Sequence, residues 1–153
     1  MPAISLYDTG VWLALAFSSH PFHSKACEVF EQADSRNPAA FCRATQTSFL
    51  RLLSTPTICS TYGLNPITNR EAWAKFEELL ALPQIFWLPE PDTIESEWKQ
   101  CAAIGSPSPK VWMDAYLAAF AITGGLNFVS LDKDFIRLQP RGLKLELLSK
   151  MPE

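Results

Sequence analysis

The sequence predicts an α/β fold with a mainly parallel central sheet flanked by helices, and three observations predict it. Short apolar runs recur between longer segments of helical periodicity. The breaks between them fall at Gly, Pro, Ser and Asn, and several apolar runs end abruptly on an aspartate. Strands that alternate with helices need crossover connections, which make the strands parallel, cover both sheet faces and bring the carboxyl ends of the strands to one edge.

Taken in order, Ala3 to Asp8 reads as a short buried strand, and the Thr9-Gly10 turn opens an apolar segment, Val11 to Phe17, long enough for a helix. A loop at Ser18-Ser19-His20-Pro21 precedes a helix over His23 to Ala33, where Ala26, Val29, Phe30 and Ala33 recur at helical spacing before Asn37-Pro38. Ala39 to Ala44 is a brief strand, and Thr45 suits the cap of a helix carrying Phe49, Leu50, Leu52 and Leu53 and ending near Pro56. Thr68, with Glu71 three residues on, forms a capping box for a helix over Asn69 to Leu82 whose apolar face is Ala72, Trp73, Phe76, Leu79 and Leu80. Ile85 to Leu88 reads as a strand and Pro91 to Ala103 as a helix, closed by Gly105-Ser106-Pro107-Ser108-Pro109. A mostly buried helix over Lys110 to Thr123 stops at Gly124-Gly125, and Phe128 to Leu131 and Lys144 to Leu148 supply the last strands.

With 153 residues and 48% hydrophobic against 19% charged side chains, the chain is expected to fold as a single domain over residues 1–153. Its longest apolar run, around Val111 to Ile122, is interrupted by Asp114 and is too short to span a bilayer. The start of the sequence carries no basic leader or cleavage-like segment, so a cytoplasmic location is expected. Cys27, Cys42, Cys59 and Cys101 match no zinc-ligand or redox-pair spacing and read as reduced packing residues. A formal charge of -3, from 13 basic and 16 acidic side chains, gives no global attraction to phosphate. Contact with nucleic acid then needs a local basic patch or a bound metal.

Chemistry points to three aspartates. Asp8 and Asp132 each follow an apolar strand, and Asp114 interrupts the apolar helix Val111-Trp112-Met113-Asp114-Ala115-Tyr116-Leu117-Ala118-Ala119-Phe120. Ligand sites in open parallel sheets gather at the carboxyl edge, so all three can face one crevice. Carboxylates brought together at the rim of a core lose hydration and repel one another, and a cation or a raised pKa relieves both costs. A divalent-metal site is the leading expectation.

Three segments then resemble a known family. Asp8-Thr9-Gly10-Val11-Trp12-Leu13-Ala14-Leu15, Trp112-Met113-Asp114-Ala115-Tyr116-Leu117-Ala118-Ala119-Phe120-Ala121 and Val129-Ser130-Leu131-Asp132-Lys133-Asp134-Phe135 resemble, in order and spacing, the signatures of PIN-domain ribonucleases, and of VapC-type toxins of bacterial type II (VapBC) toxin-antitoxin pairs in particular. Cys42-Arg43-Ala44-Thr45-Gln46, Phe49-Leu50-Arg51-Leu52-Leu53 and Glu90-Pro91 resemble one branch of those toxins. The resemblance implies a PIN-like domain acting as an endoribonuclease that depends on Mg²⁺ or Mn²⁺ and cleaves RNA with metal-activated water. It implies Asp8, Asp114 and Asp132 as catalytic and metal-binding residues, a cognate VapB-like antitoxin as partner, and a homodimer. The family's further glutamate, in the helix after the second strand, has no counterpart in Thr45-Gln46-Thr47-Ser48-Phe49. Thr45, Gln46 or Ser48 as a neutral ligand, Asp134 as a substitute, or a weak site are the alternatives.

Other roles compete at single positions. Asp8 also suits a helix N-cap, and Asp132 and Asp134 suit turn or cap positions, Asp134 more so than the others. His20 and His23 read as surface or capping residues at a loop-helix junction. Arg43 and Arg51 suit RNA phosphates, an antitoxin carboxylate, or equally a solvated or ion-paired role, and Trp12, Trp73, Trp87, Trp98 and Trp112, which could stack on bases, read by their apolar settings as core or subunit-interface residues. The competing function is a catalytically weak or inactive PIN-fold scaffold in a regulatory complex. A receiver-like phosphoacceptor fits the helical placement of Asp114 poorly, and no G-x-G-x-x-G follows the first strand to support a dinucleotide site.

Overall fold

The computed structural model describes residues 3–149. Strands β1 (Ser5–Tyr7), β2 (Ala39–Phe41), β3 (Ile85–Trp87), β4 (Asn127–Ser130) and β5 (Lys144–Leu147) form a sheet in the order β3-β2-β1-β4-β5. Every neighbouring pair is parallel; Ser5 to Tyr7 lie in register with Asn127 to Val129, and Ser5 and Leu6 with Ala39 and Ala40. The chain moves outward from β1 through β2 to β3, then returns to the other side of β1 for β4. That reversal opens a crevice at the carboxyl ends of β1 and β4, where ligands of open α/β sheets bind.

Helices α1 (Thr9–Ala16), α2 (His23–Phe30), α3 (Arg43–Leu53), α4 (Pro56–Thr61) and α5 (Asn69–Leu80) join the first three strands, and α6 (Ile94–Ala102) and α7 (Val111–Gly124) make the return crossover. Alternation along the strands explains the two layers. Tyr7, Phe41 and Val129 pack with Val11, Trp12, Phe49 and Phe76 under α1, α3 and α5, whereas Leu6 and Phe128 pack with Leu117, Ala118 and Phe120 of α7. Ala115, Ala118, Ala119 and Ala121 are all fully buried, and their small side chains let α7 lie close against the sheet.

Each strand and helix expected from the sequence is present with somewhat different bounds, and two elements were not expected. Pro56, which ends α3, also serves as the first residue of α4, a position where its missing N–H costs nothing. Lys133–Arg141 forms a 3-10 helix whose buried Phe135 and Leu138 are three residues apart, the repeat of that helix. Thr45 does not begin α3. The N-cap is Cys42, and Thr45 sits in the first turn, where its hydroxyl accepts from the Cys42 N–H at 2.9 Å and donates to the Cys42 carbonyl at 3.1 Å. The capping box of α5 forms as read, with Glu71 N–H donating to Thr68 Oγ1 at 3.1 Å and Thr68 N–H to Glu71 Oε1 at 3.0 Å.

Trp12 is fully buried and stacks on Phe41 at 3.9 Å. Trp73 and Trp112, expected in the core or an interface, are 48% and 61% exposed on this chain, so neither belongs to its core. All four cysteines are free, with Cys42, Cys59 and Cys101 buried. No described helix is long and apolar enough to cross a membrane.

Phe41 touches Trp12, Phe49 and Phe76 at the centre of one layer. Truncating it to alanine is expected to cost about 3–5 kcal/mol, against about 1 kcal/mol for Thr68→Ala at the α5 cap. Urea unfolding of the two variants measures this directly, and equal losses would contradict the packing described.

Candidate metal centre

The crevice is built by strand ends. Asp8 follows β1, and its N–H donates to the carbonyl of Val129 at 2.9 Å, so the β1–β4 pairing continues one rung to the aspartate. Its Oδ1 accepts from Thr9 N–H at 2.8 Å, which makes it the N-cap of α1. Its Oδ2 accepts from the hydroxyl of Ser130 at 2.8 Å. The same hydroxyl oxygen accepts from Asp132 N–H at 3.0 Å, so one fully buried serine ties two acidic positions together. The cap role and the crevice role of Asp8 therefore coexist, each using a different carboxylate oxygen.

Asp114 enters from α7, near its amino end, and is half-buried. Carboxylate oxygens of Asp114, Asp132 and Asp134 lie within 4.8 Å of one another. Asp132 caps the 3-10 helix by accepting from Asp134 N–H at 2.9 Å, and that tight turn swings the Asp134 carboxylate back toward the other two. Asp8 stands beside this trio, linked through Ser130.

The charges are felt. Burial, reinforced by the negative fields of Asp132, Asp8 and Asp134 and relieved in part by Arg137, pushes the Asp114 carboxyl up to about 6. Burial raises Asp8 as well, against the hydrogen bonds from Ser130 and Thr9 that favour its charged form, while Asp132 pushes it further up. A set of clustered carboxylate oxygens is a hard-donor set suited to Mg²⁺ or Mn²⁺, and a bound dication would reverse both shifts. Asp114, Asp132 and Asp134, with Asp8 adjacent, are the residues that can hold it.

Two residues of the stretch lacking an acid are committed elsewhere. Thr45 is fully buried and bonded back to Cys42, and Gln46 is 4% exposed with its Oε1 accepting from Arg43 at 2.8 Å and from Trp87 Nε1 at 3.0 Å. Neither is free to act as a ligand. Asp134 reaches the acidic group instead. His20 and His23 lie at the far end of α1 from Asp8: His20 Nδ1 accepts from Phe22 N–H, and a His23 ring nitrogen pairs with the Ala14 carbonyl. Arg51 lies in the last turn of α3, away from the carboxyl edge, and makes no ion pair among the described residues. Ser130 is the residue sequence reasoning passed over, although a hydroxyl at the end of Phe128-Val129 was a visible signal.

The acidic crevice sets a pH dependence. A carboxyl whose folded pKa exceeds its ordinary 3.8 contributes stability that is complete below that value and is lost as pH rises through about 6. In EDTA, wild type should therefore lose melting temperature across that window relative to Asp114→Asn, which has no charge to form. Parallel melting curves for the two proteins from pH 4 to pH 7 would contradict the crowding described.

Comparison with known proteins gives the fold a family. Residues 6–139 match the PIN domain family. The chain is 47% identical over 146 residues to Ribonuclease VapC41 of Mycobacterium tuberculosis, in both strain H37Rv and strain CDC 1551, covering 95% of this chain and 99% of that protein. Its fold is similar to that of a chain in the VapBC-1 structure from nontypeable Haemophilus influenzae, with a TM-score of 0.67, 16% identity and coverage of 96% of this chain and 99% of that one. It is similar also to a chain of VapBC2 from Rickettsia felis bound to a promoter DNA fragment, with a TM-score of 0.65, 14% identity and coverage of 94% and 98%. The chain belongs to the PIN-domain family and, within it, to the VapC-type ribonucleases.

Proposed function

We propose that this chain is the toxin of a toxin-antitoxin pair and hydrolyses RNA phosphodiester bonds with a divalent cation, Mg²⁺ or Mn²⁺, held by Asp8, Asp114 and Asp132 together with Asp134. The observation that carries the proposal is the meeting of three carboxylate oxygens within 4.8 Å at the strand-order reversal, with Asp8 fastened beside them. A bound dication supplies neutralising charge to the phosphate and acidifies coordinated water. The protein's own part is positional. Ser130 holds Asp8 and the turn of Asp132 in fixed relation, and α7 carries Asp114 to the same crevice on a rigid, buried helix.

Because water is the nucleophile in this reading, the ribose 2′-hydroxyl takes no part. The products are a 5′-phosphate and a 3′-hydroxyl. The scaffold alternative draws on the absence of an acid between Thr45 and Ser48, and the approach of Asp134 to Asp114 and Asp132 supports the catalytic reading in its place. The VapBC relatives support a VapB-like antitoxin as partner, one whose basic side chain would sit among the carboxylates; a cytoplasmic location fits this reading. Homodimerisation is supported by the exposed apolar side chains at the α6–α7 end, Ile104 at 40% and Trp112 at 61%.

Incubating antitoxin-free protein with total RNA, with and without EDTA, tests the reaction. Cleavage should need Mg²⁺ or Mn²⁺, leave 5′-phosphate ends and fall about 100-fold or more in Asp114→Asn, whose fold is kept. The metal should also raise the melting temperature of wild type and leave that of Asp114→Asn nearly unmoved. Activity that survives EDTA, or 2′,3′-cyclic phosphate ends, would overturn the mechanism; inactivity with every metal would favour the scaffold reading.

For assembly, light scattering across a wide concentration range should return twice the mass of the chain. Trp112→Ser should shift the protein toward monomer. A monomer mass throughout would remove the dimer.

A further inference from the structure

The carboxyl edge of the sheet carries a second set of polar side chains that the acidic centre does not use. Along the strand order, Glu90 follows β3, Arg43 follows β2, Asp8 follows β1 and Asp132 follows β4. Neighbouring strands are ~4.8 Å apart, so the end of β3 at Trp87 stands roughly 10 Å from the end of β1 at Tyr7, next to Asp8. Between the start of α3 and the first turns of α7 the edge opens into a cleft of about 530 Å³, lined by Arg43, Ser48, Trp87, Glu90, Met113 and Tyr116. Met113 and Tyr116 lie within two residues of Asp114 in sequence, so the cleft and the acidic centre are both served by the amino-terminal turns of α7.

Two of its parts are fixed in place. The Arg43 guanidinium lies over the Trp87 ring at 4.6 Å, and the buried Gln46 oxygen accepts from both side chains, at 2.8 Å from Arg43 and 3.0 Å from Trp87. One amide oxygen thus locks a flat cationic platform whose outer side is exposed. Opposite it, the exposed Glu90 accepts from the Tyr116 hydroxyl at 2.6 Å and makes no ion pair among the described residues. With that proton committed, Glu90 and Tyr116 present acceptors only.

Resting on the RNA-cleaving reading above, we propose that this cleft is a base-reading subsite for a nucleotide flanking the scissile phosphate, and that it selects guanine. A splayed base stacks on aromatic rings and guanidinium planes and is read along its Watson–Crick edge. Guanine alone among the four bases offers two adjacent donors there, N1–H and the N2 amino group, and an accepting carboxylate takes both. Adenine and cytosine place an acceptor beside their amino group, and uracil flanks its N3–H with two carbonyls, so each meets Glu90 with a lone pair. In this arrangement Glu90 is the specificity residue, set by its bond from Tyr116, and Arg43 is the platform that draws the base in.

The test uses cleavage-deficient Asp114→Asn protein and the four nucleoside 5′-monophosphates, following the Trp87 indole N–H by NMR, with Trp87→Phe assigning the signal. Guanosine monophosphate should shift that signal and bind about tenfold or more tightly than the other three. Adding Glu90→Gln, which turns one acceptor into a donor, should bring the four within about threefold. In cleaving protein, end mapping on a random RNA pool should show a guanosine bias at one position that Glu90→Gln erases. A Trp87 signal unmoved by guanosine monophosphate, or the same base bias with and without Glu90→Gln, overturns the proposal; so does a shift produced only by an arginine-containing peptide, which would make the cleft a protein site. Guanine binding by a protein that cuts no RNA would instead defeat the nuclease reading and leave the subsite standing.

Discussion

Everything at the functional edge depends on the parallel register of β1 against β4. Tyr7 pairs with Val129, and the next rung is the Asp8 N–H on the Val129 carbonyl at 2.9 Å. This rung sets Asp8 and Ser130 side by side so that one hydroxyl serves the Asp8 carboxylate and the Asp132 N–H together. A slip of one residue would turn Asp8 to the opposite sheet face and break both bonds. The register is held from both sides, since Leu6 and Phe128 are buried in one layer and Tyr7 and Val129 in the other. Packing that stabilises the sheet therefore also fixes where the charges meet.

How legible this was in the sequence varies with how local the cause is. The aspartates after β1 and β4 could be read directly, because an apolar run ending on an acid marks both a strand end and a costly position for charge. The α5 helix could be read to its caps, since Thr68 and Glu71 act within one turn. Asp134 could not: its reach toward Asp114 depends on a 3-10 turn whose geometry comes from packing Phe135 and Leu138 beneath it. Gln46 was equally hidden, because its partner Trp87 comes from a strand 41 residues away. The start of α3 was misplaced at Thr45 because a threonine in the first turn that bonds back to the cap resembles the cap itself.

The distribution of acids follows from the same contacts. With Thr45 and Gln46 committed to internal hydrogen bonds, the α3 side of the crevice contributes no carboxylate, and the fourth acid comes from the β4 side through Asp134. The effect is an asymmetric edge. Negative charge gathers past β1 and β4, where Asp114 is pushed up to about 6, while the cation of Arg43 stands past β2.

That asymmetry bears on how a chain with a net charge of -3 can receive a polyanion at all. An uncompensated acidic crevice repels phosphate, and nothing in the overall charge offsets it. A dication held among the carboxylates, as proposed above, would change the local sign and make the crevice enterable. Arg43, held over the Trp87 ring at 4.6 Å past the end of β2, adds a second positive point along the sheet edge. On the two proposals taken together, a strand of RNA would have its backbone drawn to the centre past β1 and β4 and a neighbouring base turned toward the cleft past β2 and β3.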